Sequence, residues 1–302
     1  MTTTQEHVLM TTFDTTGPVR ARIDLGLGAL HLHAGQSTTT TVEVRPSDPS
    51  EPDDVDAAAR TTVELDGDQL VVRGPDRQGL PLVRSWVRRG WGGSIDVTID
   101  LPEGSALELS AGSGDVDATG RLGNCRIRTG LGSIRLEATD ALDCKSGAGG
   151  IMVDRVTGGA DVTTASGRVE LASVTGDAVV RNSNGATRLG RVDGHLRVKA
   201  ANGPIEVGVA TGSIVAKSAN GDVVVDEVAS GNVVLETHVG DVEVGIPVGT
   251  AAWLDLDATA GTVRNDLAAA DAPTEDGARV EVRARTTLGQ VLVRRPRAVD
   301  HA

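Results

Sequence analysis

The chain has 302 residues and a formal net charge of -13, from 29 basic and 42 acidic residues, with Phe13, Trp86, Trp91 and Trp253 as its entire aromatic complement. That balance favours solubility and disfavours indiscriminate attraction to nucleic acid or anionic lipid, and it leaves valine, leucine and isoleucine to fill the core. No apolar run approaches the length of a spanning helix, and residues 1–36 lack a basic start followed by an apolar stretch; the expected location is the cytoplasm.

In chain order, residues 19–32, 41–44, 63–72 and 94–99 alternate like strands. Residues 46–56 read as an acidic, proline-containing loop, and 57–60 as the start of a short helical turn. This irregular region, 1–104, is expected to form the first, wider coils and a cap, because an open solenoid end exposes strand edges.

From there a glycine returns with a fixed period, at Gly114, Gly132, Gly149, Gly167, Gly185, Gly203, Gly221 and Gly240, with spacings of 18, 17, 18, 18, 18, 18 and 19. Two and four residues after the glycine stand branched residues, as in Ile205 and Val207. Seven and five residues before it stand others, as in Leu196 and Val198, and three before it the residue turns small or polar, as in Thr164 and Ser218. Each repeat is therefore two short strands of period-two alternation joined by turns. Gly158, Gly176, Gly194, Gly212 and Gly231 mark the other corner, and Asn184, Asn202 and Asn220 precede turn glycines, where Asn-Gly suits tight corners.

Strands this short bury nothing alone, so the coils must stack, about 4.8 Å apart. The fold class expected is all-β: a single-stranded β-solenoid, or β-helix, of about 18 residues per coil, regular over 105–250. Residues 251–302 continue the template at Gly261 and Gly289. The excess around 267–277 is expected to be a surface loop. Cys125 and Cys144 fall on inward lanes two residues out of register, roughly 8 Å apart by strand geometry, and are expected to be free buried thiols.

Runs such as Ser113-Gly114-Asp115-Val116, Asn220-Gly221-Asp222-Val223-Val224-Val225 and Val239-Gly240-Asp241-Val242-Glu243-Val244 recur after the join segment Ile95-Asp96-Val97-Thr98-Ile99-Asp100-Leu101-Pro102-Glu103-Gly104. From about Phe13 to Val293 the chain resembles the bacterial β-strand-repeat family labelled "putative adhesin", domain of unknown function 4097. The resemblance implies a β-solenoid and supplies no catalytic residues. A weaker similarity, in repeat length, is to the bactofilins, solenoids that polymerise end to end.

The outward lanes carry the candidate surface. Before the glycines, Arg126, Arg128, Lys145, Arg181, Arg197, Lys199 and Lys217 stand against Asp143, Asp161 and Glu236. After the glycines, seven acidic residues stand against Arg135 and Arg188. Like charges stacked at strand spacing repel; a polyanion or an acidic partner would offset that cost, or the long side chains splay into water. A second candidate is Trp86, Arg88, Arg89 and Trp91, which suits stacking on bases or a membrane surface, or else covers the first coil.

His31 and His33 alternate on one strand near Asp24 but lack an evident third ligand, so no metal is expected. Gly26-Leu27-Gly28 precedes no helix pattern, which disfavours a nucleotide site. No cofactor is expected. The function expected is a non-catalytic scaffold or interaction protein that binds a protein partner or itself. One alternative is a polyanion-binding module using the basic lane; another is a polysaccharide-active β-helix enzyme.

Overall fold

A computed structural model describes residues 9–75, 93–267 and 278–296. They group into two compact units, Met1–Gly149 and Gly150–Ala302.

The first unit runs β1 (Leu9–Asp14), β2 (Arg20–Leu27), β3 (Leu30–Gly35), β4 (Thr39–Pro46), α1 (Pro52–Arg60), β5 (Thr62–Asp66), β6 (Gln69–Arg73), β7 (Ile95–Pro102), β8 (Ala106–Ser113), β9 (Val116–Leu131) and β10 (Ile134–Ala148). β9 and β10 are long because each turns a corner and serves both faces of its coils, pairing in parallel from Ile134↔Val116 through Leu142↔Cys125 to Ala148↔Leu131. On one face β2 lies between β6 and β8, parallel to both. On the other β3 lies between β7 and β9. The first coil, β2–β3, is therefore sandwiched between coils that come later in sequence.

Beside these coils lies an antiparallel layer in which β4 joins β1 to β7. Helix α1 begins at Pro52, earlier than the turn expected at 57, and takes up part of the expected acidic loop. Proline suits the first helical turn, and Asp53 and Asp54 complement its positive end. Ala57 and Ala58 are the face it buries.

The second unit comprises β11 (Ile151–Val156), β12 (Ala160–Ser166), β13 (Val169–Val174), β14 (Ala178–Asn184), β15 (Thr187–Val192), β16 (Leu196–Asn202), β17 (Ile205–Ala210), β18 (Ile214–Asn220), β19 (Val223–Val228), β20 (Gly231–Val239), β21 (Val242–Gly245), β22 (Ala251–Ala260), β23 (Val263–Asn265), β24 (Arg279–Leu288) and β25 (Val291–Arg294). Strands before the repeat glycine stack in parallel as β12–β14–β16–β18–β20. Those after it stack as β11–β13–β15–β17–β19–β21. Val180, Val198, Ala216 and Leu235 form one inward column, each 0% exposed. Burying a side chain of this class stabilises by about 1.5–3 kcal/mol.

The polar lane three residues before the glycine also points inward and binds corner carbonyls. Thr237 Oγ1 donates to the Gly221 carbonyl at 2.9 Å, and Asn182 Nδ2 to that of Gly167 at 3.0 Å. Asn184, Asn202 and Asn220 do not supply unusual turn dihedrals; every non-glycine residue described has negative φ. They form a ladder instead. Asn220 Nδ2 donates to Asn202 Oδ1, and Asn202 Nδ2 to Asn184 Oδ1, both at 2.9 Å. Such side-chain ladders reinforce stacked strands.

The last coils do not stack in sequence order. β24 lies between β20 and β22, and β25 between β21 and β23. Electrostatics favour that order. It sets Arg285 of β24 beside Glu236 on one side and Asp257 on the other, where sequential stacking would set Glu236 against Asp257. Arg283 and Arg285 both bind Asp255 Oδ2, at 3.0 and 3.2 Å. Arg294, its side chain only 12% exposed, reaches along the outward face to Glu243 and to Asp226 at 2.8 Å. Gly245 lies opposite it in register, and the missing β-carbon leaves room for the guanidinium. The loop expected at 267–277 falls almost wholly outside the described residues.

Cys125 and Cys144 are free and buried, and their register partners are Leu142 and Ile127, two residues apart as expected. Burial pushes the Cys125 thiol up to about 11 and Cys144 to about 12. An unfolded thiol ionises near pH 8.5. The folded state thus holds protons that the unfolded state releases, and stability falls as pH rises from about 8.5 towards 11. Urea unfolding at stepped pH should show this alkaline loss. The double variant Cys125→Ala, Cys144→Ala should lose less over the same window, and equal slopes would contradict the burial.

Candidate interaction surface

On the pre-glycine face of the first unit, Arg22, Glu108, Arg126 and Asp143 are consecutive register partners. The lane alternates in sign. Asp143 is bound by Arg126 at 3.3 Å and Arg128 at 3.2 Å. Neither Arg22 on β2 nor Glu108 on β8 belongs to the basic lane expected from the sequence, which begins at Arg126. Their alternation neutralises this part of the expected basic lane. Among the described residues of this face, only the Arg128–Lys145 pair keeps like charges side by side. An open groove of about 510 Å³ beside this lane is lined by Arg20, Arg22, Glu108 and Arg126, with Cys125 in its floor.

On the second unit the like-charged stack is real. Arg181 on β14, Lys199 on β16 and Lys217 on β18 are direct register partners. Acids pin the flanks of the row: Arg181 binds Asp161 at 3.0 Å, and Lys217 binds Glu236 at 2.6 Å. The centre is open. Lys199 and Arg197, two residues before it on β16, are exposed and carry no ion pair among the described residues. Arg197 stands between Val179 and Val215, half-buried residues of the same outward lane. The strands beneath are fixed by the buried valine column, so the four cations are held at strand spacing on a rigid sheet.

The post-glycine face is acidic but internally bridged. Arg188 spans Glu170 at 3.6 Å and Glu206 at 2.8 Å. In the first unit Arg135 binds Asp117 at 3.6 Å.

Trp86, Arg88, Arg89 and Trp91 lie outside the described residues. His31 and His33 are exposed on β3, and His33 Nδ1 pairs with Thr119 Oγ1 at 2.9 Å. Asp24 stands on β2, on the other strand face. Among the described residues no group of three or more His, Cys, Asp or Glu is placed to hold a metal ion. No helix among them is long and apolar enough to cross a membrane.

A family model described as Toastrack DUF4097 matches residues 30–244. No curated protein matches the chain. Solved structures similar to it include a "putative adhesin" from Bacteroides fragilis NCTC 9343, 12% identical, covering 94% of this chain and 97% of that chain with a TM-score of 0.35. A "putative adhesin" from Parabacteroides distasonis ATCC 8503 is 9% identical, with 96% and 98% covered and a TM-score of 0.32. A "putative cell adhesion protein" from Clostridium sporogenes ATCC 15579 is 9% identical, with 95% and 98% covered and a TM-score of 0.23.

Proposed function

The chain belongs to the Toastrack DUF4097 family, and from that premise we propose that it is a non-catalytic β-solenoid scaffold whose outward strand faces hold a protein partner. The observation that carries this reading is the row Arg181, Lys199 and Lys217 with Arg197 beside it. Four cations stand on a rigid sheet, and the two at the centre carry no ion pair. Stacked like charges cost stability, and an acidic partner surface would offset that cost on binding. The test is co-purification of the tagged chain from its own cells, confirmed with the purified partner. The variant Arg197→Gln, Lys199→Gln should remain folded and lose at least tenfold in affinity. A partner that binds the variant as tightly as the wild type would place the interaction elsewhere.

A second reading is favoured by the same row: an anionic polymer would meet cations repeating at about 4.8 Å. Titration of a DNA duplex or an anionic glycan at low salt tests it. Replacing Arg181, Lys199 and Lys217 by glutamine should weaken binding and flatten the dependence on salt, since each cation lost releases fewer counterions. No binding by the wild type at low salt ends this reading.

A further inference from the structure

We propose that the open edge of β22 is a docking surface for a second copy of this chain, whose own β22 adds to it antiparallel across a two-fold axis. This deepens the scaffold reading and rests on it, by naming one surface and one partner.

β22–β23 is the outermost coil of the second unit, because β24–β25 sits inside it. In the coils beneath, the inward lanes are sealed: Val233, Leu235, Val282 and Ala284 are each 0% exposed. In the outermost coil the same lanes are open. Leu254, Leu256 and Ala258 are half-buried and Val263 is 48% exposed. Apolar residues gather around this end, with Trp253 at 57% and Val248 at 83% exposure. At the glycine corner the asparagine ladder gives way to Val239, Leu288 and Ala260, of which Val239 is 45% and Leu288 52% exposed.

Among the described residues β22 pairs only with β24, which leaves its other edge open. β22 is ten residues long, AAWLDLDATA, without lysine, arginine, proline or glycine. Those are the residues and kinks by which natural sheets keep an edge from pairing. Ala251 donates its N–H to the Ala278 carbonyl, on the β24 side. By strand alternation the peptide groups of Leu254 and Leu256 then point to the open side.

The chemistry of the edge fits a copy of itself. Directly opposed residues of an antiparallel pair share a face, so two β22 strands bring Leu254 and Leu256 of both copies onto one core side. The outward lane carries Asp255, but Arg283 and Arg285 of its own chain already bind that carboxylate and hold it below the usual range. Two such edges therefore meet with that charge compensated. Trp253 beside them supplies the large apolar side chain that anchors such contacts.

Sedimentation equilibrium on the full chain over a wide concentration range tests the proposal, together with hydrogen exchange at the Leu254 and Leu256 amides. The expected result is a reversible dimer, with exchange at both amides slowing at least tenfold as concentration rises. Salt should strengthen it, because two chains of net charge -13 repel at long range. Leu256→Lys should give a monomer. Ala252→Pro, which changes the edge with little loss of apolar side chain, should do the same if the lysine variant fails to fold. A monomer at every concentration overturns the proposal, as does a dimer whose Leu254 and Leu256 amides exchange at the monomer rate. Either failure leaves the scaffold reading standing, because that is judged by partner binding at Arg197 and Lys199.

Discussion

Val198→Asp should destabilise the second unit by several kcal/mol, while Lys199→Asp, one residue further along the same strand, should leave the unfolding midpoint nearly unchanged. Val198 is 0% exposed and lies in register between Val180 and Ala216, also 0% exposed. A carboxylate there meets no donor in an apolar column, so it must either stay charged at high cost or protonate and bury an unpaired polar group, and either way the loss is several kcal/mol. Domains of this size are stable by only about 5–15 kcal/mol, so the variant should unfold at markedly lower urea or fail to accumulate. Lys199 points the other way, into solvent between Arg181 and Lys217. Reversing its charge replaces two repulsions with two attractions. Urea denaturation of both variants checks the pair. Similar losses in both would mean that the assignment of inward and outward lanes is wrong, and the basic row would fall with it.

The regular coils were legible because strand alternation and the glycine period are local properties of the chain. Leu196, Val198, Ile205 and Val207 announce an inward lane by their spacing alone, and each is at most 2% exposed. Stacking order is not local. The lanes of β22 and β24 match the same template, with Leu254, Leu256 and Ala258 in one and Val282, Ala284 and Thr286 in the other, so the period cannot say which lies outside. The signal was present in charge. Glu236, Asp257 and Arg285 occupy one outward lane, and the order that alternates sign is the one adopted. The same applies within the first unit, where Arg22 and Glu108 extend the Arg126–Asp143 lane with alternating sign. Arg181, Lys199 and Lys217 stack as direct register partners, a placement that follows from the repeat period. Neutralisation of the basic lane in the first unit depends on which strands become neighbours, and the openness of Lys199 and Arg197 on how far nearby carboxylates reach. Neither follows from spacing.

Gly203→Ala should cost about 3 kcal/mol or more. Two effects act together, and two other glycines separate them. Gly203 has φ of +134°, and a β-carbon built on it would lie 2.2 Å from the Gly185 carbonyl oxygen of the coil below. That oxygen belongs to a stacked backbone and cannot swing aside as a side chain would. Gly185 and Gly221 repeat the arrangement, with 2.2 and 2.3 Å to the oxygen of the preceding glycine. Relieving one clash means lifting one coil off the next, against the hydrogen bond from the Gly185 N–H to the Asn202 carbonyl at 2.8 Å and the buried lanes on either side. Gly249 shares the positive φ, +85°, but has nothing within 4 Å of the added carbon. Its alanine variant should cost only the dihedral strain, about 1 kcal/mol. Gly17 has neither constraint, so Gly17→Ala should be neutral or slightly stabilising through the unfolded chain. The expected order of urea midpoints is therefore Gly17→Ala highest, then Gly249→Ala, then Gly203→Ala well below both. Were Gly203→Ala no worse than Gly249→Ala, the glycine column would be needed only for its dihedral angle. The close backbone approach between coils would then not be what fixes glycine at every repeat.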